Sequence, residues 1–249
     1  MKLTGIKTEA VTAGAYELTE LVDKYVPDMP PGAVLAVTAK VVSLCEGRVV
    51  PVGSVPKAEL VRREAEYYLP PEFNPFEVMV TIKRDVLIAF AGVDESNGDG
   101  QYVLWPQDPQ ASANRLREHL RRRFGHPVGV VITDSKTSPL RWGTQGFGLA
   151  HSGFAALNSY IGQPDIFGKY ELQHTYAGVV DGLAAAAVLV MGEGAERLPL
   201  VLIEDAGMVD VQDRNPTAAE LEQMRITLDE DLYGEMLKKI PWDKRPENS

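Results

Sequence analysis

V-G-V-V-I-T-D-S-K-T-S-P-L-R-W-G-T-Q-G, Val128 to Gly146, is the stretch around which the chain is arranged. Its first half is an apolar, β-branched run that stops at Thr133-Asp134-Ser135. Its second half is a loop punctuated by Pro and Gly that carries Lys136 and Arg141. A buried strand that hands its chain to a carboxylate, a hydroxyl and two cations places polar groups at the rim of a sheet. Asp-Ser after a strand is equally turn or helix-cap vocabulary, because both side chains accept hydrogen bonds from nearby backbone N–H groups. Two further stretches repeat the grammar. Val86 to Asn97, V-L-I-A-F-A-G-V-D-E-S-N, ends in Asp94, Ser96 and Asn97, and the strand Ala33 to Ala39 runs into K-V-V-S-L-C-E-G-R, Lys40 to Arg48. Matching polar exits point to a shared site.

Around these strands the pattern reads as helices and a hairpin. Tyr16 to Val26 has apolar residues at spacings of three and four, and Lys57 to Leu69 is a charged amphipathic helix closed by Pro70 and Pro71. Glu77 to Lys83 and Val86 to Ala91 read as an antiparallel hairpin turning at Arg84-Asp85. Asp108-Pro109 supplies an N-cap and an N1 proline to a helix that ends at Gly125. Its Arg115, Arg117, Arg121, Arg122 and Arg123 form a solvated face or, less simply, a phosphate-recruiting one.

Phe147 to Asp165 gives no clear assignment. His151 within it lacks a metal-ligand partner at a recognisable spacing and reads as structural. Gln173 to Met191 is an Ala-rich helix stopped by Gly192, and Leu198 to Glu204 is a strand. Glu193, at the negative end of that helix, would favour a bound cation there, although a surface Glu in a turn reads the same way. Thr217 and Glu220 form a capping box for a C-terminal helix over about 216–239, with the apolar stripe Leu221, Met224, Leu228, Leu232 and Met236. No repeat or linker divides the 249 residues, which read as a single domain.

Bulk properties narrow the function classes. A net charge of -10 argues against nucleic acid or an anionic membrane as the main partner. Cys45 stands alone, and neither an apolar signal segment nor a bilayer-length run is present, so the expected compartment is the cytoplasm. There is no Walker-type phosphate loop and no nucleophile elbow, and G-T-Q-G-F-G at Gly143 to Gly148 has the wrong spacing for a dinucleotide fingerprint. What remains is carboxylates and hydroxyls at element ends with Lys and Arg nearby. Such hard oxygen donors suit Mg²⁺ or Mn²⁺ bridging phosphate oxygens, which points to metal-assisted phosphoryl chemistry on a nucleotide or similar compound.

Five stretches then carry a family resemblance: Lys40 to Arg48, Ala91 to Asn97 (A-G-V-D-E-S-N), Val131 to Gly143 (V-I-T-D-S-K-T-S-P-L-R-W-G), Asp165 to Lys169 (D-I-F-G-K) and Asp181 to Gly194 (D-G-L-A-A-A-A-V-L-V-M-G-E-G). In this order they resemble the coenzyme F420-0:γ-glutamyl ligase family. The resemblance implies an α+β protein with mixed, largely antiparallel sheets and flanking helices, assembled as an intertwined, two-lobed homodimer. It implies a GTP-dependent ligase that joins L-glutamate to the carboxylate of a phosphorylated deazaflavin through an acyl phosphate, with two Mg²⁺ or Mn²⁺ ions. By motif position, Asp94, Asp134, Ser135 and Glu193 resemble the metal-holding residues, and Asp94, Asp134 and Arg141 the catalytic ones. Ser43, Asn97, Lys40 and Met191 resemble the nucleotide side. Leu44 stands where the family has a nucleotide-contacting lysine, and D-S-K-T-S-P-L-R departs from the family's D-T-x-G-R-P-W-R while keeping Asp134, Pro139 and Arg141. A different acceptor, or a binding protein of the same fold without catalysis, are the alternatives these departures leave open.

Overall fold

Strands whose successive side chains enter cores on opposite faces of one sheet organise the structure, a computed structural model that describes residues 1–245. The chain opens with strand β1 (Lys2–Ile6), helix α1 (Leu18–Tyr25), strand β2 (Val34–Thr38), helix α2 (Ala39–Cys45) and strand β3 (Val49–Pro51). Helix α3 (Lys57–Glu64) leads through β4 (Tyr67–Tyr68) to the hairpin of β5 (Val80–Lys83) and β6 (Val86–Ala89), and then to β7 (Gln101–Val103). Next come α4 (Pro109–Phe124), β8 (Gly129–Thr137), β9 (Thr144–Ser152), β10 (Leu157–Ser159) and β11 (Tyr176–Gly178). The chain closes with α5 (Val179–Met191), β12 (Leu200–Glu204), α6 (Ala218–Glu222), α7 (Gly234–Leu237) and β13 (Asp243–Lys244).

The central sheet has the order β1-β12-β2-β8-β9. Only the β2–β8 pair is parallel, so the protein is α+β with a mixed sheet, as expected. Leu35, Val37, Val130, Ile132 and Leu200 point to one face, where Val22 of α1, Val26 just after it, and Leu116 and Leu120 of α4 meet them. Their neighbours Val34, Ala36, Val131, Val201 and Ile203 point to the other, against Val180, Leu183, Ala184 and Ala187 of α5. A strand buried on both faces has no polar positions to alternate, which is why these strands read as continuous apolar runs. Each fully buried Leu or Val contributes roughly 1.5–3 kcal/mol. A separate cluster, including Leu60, Val61, Met79, Ala91 and Leu104, packs α3 on the turn that follows the β5–β6 hairpin.

Several elements differ from their sequence reading. The stretch after β2 is the helix α2 and not a polar loop. The helix from Lys57 stops at Glu64, because Tyr67 and Tyr68 pair with β5 instead. The helix predicted from Gln173 begins at Val179, since Tyr176–Gly178 pairs with β10. Lys2–Ile6, unread in the sequence, completes the sheet edge through β12.

The C-terminal helix over 216–239 is not formed. Its capping box is present at Thr217 and Glu220, yet α6 ends at Glu222. Of the apolar stripe, Met224 packs on the α5 side of the sheet while Leu228, Leu232 and Met236 are exposed. Without a surface to cover, a marginal helix has no tertiary support. The arginines of α4 are mostly staples: Arg121 pairs with Asp213, Arg123 with Asp23, and the buried Arg117 donates from Nε to Asn215 Oδ1 at 3.0 Å. No helix among the described residues is long and apolar enough to cross a membrane.

Candidate active site

Asp134 does not open a loop as its sequence suggested. It lies inside β8, paired with Phe147 of β9, and the register slips between Ile132 and Thr133 so that Leu149 is left over as a bulge. Bulges re-aim side chains beside functional sites. Burial ends here while pairing continues: Gly129 to Thr133 are buried, and beyond them β8 and β9 leave the core as a two-stranded ribbon. An apolar run thus marks where the core stops, not where the strand stops.

The ribbon is one wall of a cavity of about 1040 Å³. Lys40, Asp94, Asn97, Asp134, Ser135, Met191 and Glu193 all line it. Three polar exits, on α2, after the β5–β6 hairpin and on β8, converge with the end of α5. Ser43 and Arg141 do not join them. Ser43 is fully buried in α2 with its hydroxyl unpartnered, and Arg141 is exposed in the turn between β8 and β9. Leu44 does line the cavity, as an uncharged patch of wall.

Each carboxylate has a distinct setting. Lys40 Nζ donates to Asp94 Oδ2 at 2.6 Å, to the Ser96 carbonyl at 2.8 Å and to Ser96 Oγ at 3.1 Å. Ser96 Oγ and its backbone N–H also donate to Asp94, at 2.7 and 2.9 Å. Burial pushes the Asp94 carboxyl up, but Lys40 and Ser96 outweigh it and hold it below the usual carboxylate range. Asp134 accepts from Trp105 Nε1 at 2.5 Å through Oδ2 and from the Ser135 N–H at 2.9 Å through Oδ1. Here burial prevails and pushes the pKa up to about 6, with the charge of Asp94 acting in the same direction. Glu193 accepts from Ser135 Oγ at 3.2 Å and from Thr144 Oγ1 at 3.1 Å. Gly192 ends α5 with a positive φ of 76°, and a Cβ there would meet the Glu196 carboxylate at 2.4 Å. Asn97, itself at φ 54°, donates to the Gly194 carbonyl at 3.0 Å and ties this turn to the Asp94 loop.

Donor chemistry suits small hard cations. Lys40 already sits on a carboxylate, a carbonyl and a hydroxyl oxygen, the set such an ion takes. Among the described residues no three His, Cys, Asp or Glu gather closely enough to hold an ion on their own. That fits a cation bound by one or two carboxylates and completed by waters and substrate phosphates. Sequence reading missed Trp105, the donor to Asp134. Its only signal was that a buried indole N–H must find a partner somewhere.

A family model described as F420-0:Gamma-glutamyl ligase matches residues 5–205. The chain belongs to the F420-0:γ-glutamyl ligase family. The enzyme is therefore a ligase. Coenzyme F420:L-glutamate ligase of Methanopyrus kandleri is 35% identical over 204 residues, covering 75% of this chain and 79% of its own length. The protein of the same name from Archaeoglobus fulgidus is 30% identical over 240 residues, covering 90% and 92%. That of Methanococcus maripaludis strain C6 is 31% identical over 222 residues, covering 83% and 88%. The matched region spans β1 to β12 and every residue of the cavity wall named above.

Proposed function

We propose that this F420-0:γ-glutamyl ligase family member forms an amide bond between L-glutamate and a carboxylate of a phosphorylated deazaflavin, at the expense of GTP, in the 1040 Å³ cavity. The observation that carries the reading is the convergence of Asp94, Asp134 and Glu193 with Lys40 on that one cavity in a chain of this family.

A carboxylate is a poor electrophile, so transfer of the γ-phosphoryl group to it is the productive first step. The glutamate amine then attacks the acyl phosphate, inorganic phosphate leaves with the electron pair of the broken C–O bond, and the amine gives up its proton. Lys40, Asn97 and Met191 line the nucleotide side. Asp94 and Asp134 would hold one Mg²⁺ or Mn²⁺, and Glu193 with Ser135 a second. Such ions neutralise phosphate charge when bound. Leu44 removes a cation from the wall and relaxes the demand for one nucleotide. A homodimer accompanies this reading, supported by the exposed apolar residues Leu140 and Trp142 on the ribbon and Leu232 and Met236 near the C-terminus.

Asp134→Asn tests the assignment. The amide keeps the hydrogen bond from Trp105 but does not supply the negative charge that a hard cation requires. We expect a folded protein without nucleotide-dependent glutamate ligation, monitored by chromatography of the acceptor. Ligation at the wild-type rate would overturn the reading.

A further inference from the structure

We propose that Trp105, braced by Lys83, Arg48 and Glu64, is a positioning residue that sets the orientation of the Asp134 carboxylate. The proposal rests on Asp134 being a working carboxylate of the cavity. Trp105 Nε1 and the Ser135 N–H each donate to a different oxygen of Asp134, at 2.5 and 2.9 Å. One donor per oxygen fixes the plane of the carboxylate and leaves the remaining lone pairs free for a ligand. Ser135 N–H is the next residue's backbone and moves with the strand. Trp105 comes from a separate part of the chain and packs on Phe147, the partner of Asp134 across the ribbon, so it ties Asp134 to a segment outside β8.

Trp105 is held at its indole by two contacts and at its backbone by a third. Its edge lies so close to Gly92 that a Cβ there would sit 2.2 Å from Nε1. Arg48 Nε donates to the Trp105 carbonyl at 3.2 Å. The Lys83 ammonium stands 5.0 Å from the indole centroid, where it attracts the ring face and withdraws electron density, which strengthens N–H as a donor. Lys83 is only 7% exposed and is kept in place by Glu64 Oε2 at 2.7 Å and the Ala91 carbonyl at 3.2 Å. Glu64 in turn accepts from Arg48 at 3.0 and 3.1 Å. Buried ion pairs return little net stability against apolar replacements, and their best-attested use is to specify one geometry. Here two cations and one anion lie directly behind the side chain that donates to the cavity's most buried carboxylate.

The test compares Trp105→Phe, Lys83→Met, Val86→Ala and Asp134→Asn in steady-state glutamate ligation and in thermal melts. Trp105→Phe keeps an aromatic ring and removes the donor. It should lower kcat about tenfold or more with the KM values for nucleotide, glutamate and acceptor unchanged, as misplacement of a catalytic group does. Lys83→Met should lower kcat in the same direction by roughly threefold, as expected for a change that acts only through the indole. Val86 packs on the same Ile88–Trp105–Phe147 cluster and has no group that donates to Asp134, so Val86→Ala should shift the melting midpoint and leave kcat alone. Wild-type kcat in Trp105→Phe, or an equal kcat loss in Val86→Ala, would overturn the proposal. If Trp105→Phe does not fold, Lys83→Met decides, and an unchanged kcat in the folded Lys83→Met protein overturns it. Full activity in Asp134→Asn would instead sink the reading of Asp134 itself, whereas an inactive Asp134→Asn beside a normal Trp105→Phe removes only the brace.

Discussion

At Gly92 the backbone has φ +72° and the space a side chain would need is filled by the Trp105 indole. Gly92→Ala therefore combines a left-handed conformation with overpacking, and should destabilise by about 2–4 kcal/mol. It should also move the indole off Asp134, so activity falls by more than the melting curve explains. Chemical denaturation and ligation assays on the one variant check both. His151 is a different case: it is 1% exposed, its Nδ1 has no partner among the described residues, and burial pushes its pKa down to about 4. A histidine that binds its proton less readily when folded leaves stability intact above about pH 6.5 and loses it as pH falls toward 4. That loss amounts to about 3 kcal/mol in all, and to about 2 kcal/mol between pH 7 and 5. His151→Phe should flatten this part of the pH–stability curve, measured as urea midpoints; equal acid sensitivity in variant and wild type would contradict it.

Helix α5 and strand β9 are in closer contact than side chains permit. A Cβ at Gly146 would lie 2.5 Å from the Ala184 carbonyl and 2.7 Å from Val188 Cβ, and one at Gly148 would lie 2.5 Å from Val180 Cγ2. Asp181 Oδ1 also accepts from the Gly148 N–H at 2.9 Å, fixing the first turn of the helix to the ribbon. Because α5 ends at Met191 and delivers Glu193, its distance from the sheet sets where that carboxylate stands. Gly146→Ala should push the helix outward, costing about 1–3 kcal/mol, and should weaken ligation through Glu193. A melting midpoint and rate equal to wild type would show that the helix position does not matter to the site.

In the whole protein, the ribbon of β8 and β9 carries Leu140 and Trp142, 103% and 94% exposed, on a chain of net charge -10. Apolar side chains this bare, at a tip held out from the core by a paired ladder, suit a partner surface. The proposed homodimer predicts twice the chain mass in light scattering at micromolar concentration. Leu140→Ser with Trp142→Ser should shift the population toward monomer. A monomer in the unaltered protein would remove the dimer from the reading.

Local chemistry was enough for much of this protein. The Asp108 side chain caps α4 through the Ala111 N–H, Gly125 closes it in the left-handed region, and the β5–β6 hairpin turns at Arg84 and Asp85, because caps and turns depend on residues within four positions of one another. The three polar exits and Glu193 were equally legible, since a chain leaves the core where polar side chains begin. Their meeting in one cavity was not, because it depends on strand order, on the parallel β2–β8 pair and on the bulge that re-aims Asp134. Nor was the failure of the helix over 216–239, whose periodicity is real but whose stripe beyond Met224 finds no surface among the described residues. Trp105 and the Lys83–Glu64–Arg48 group lie 29 to 86 residues from Asp134 in sequence, so only long-range packing brings a donor, a ring and an ion cluster behind one carboxylate.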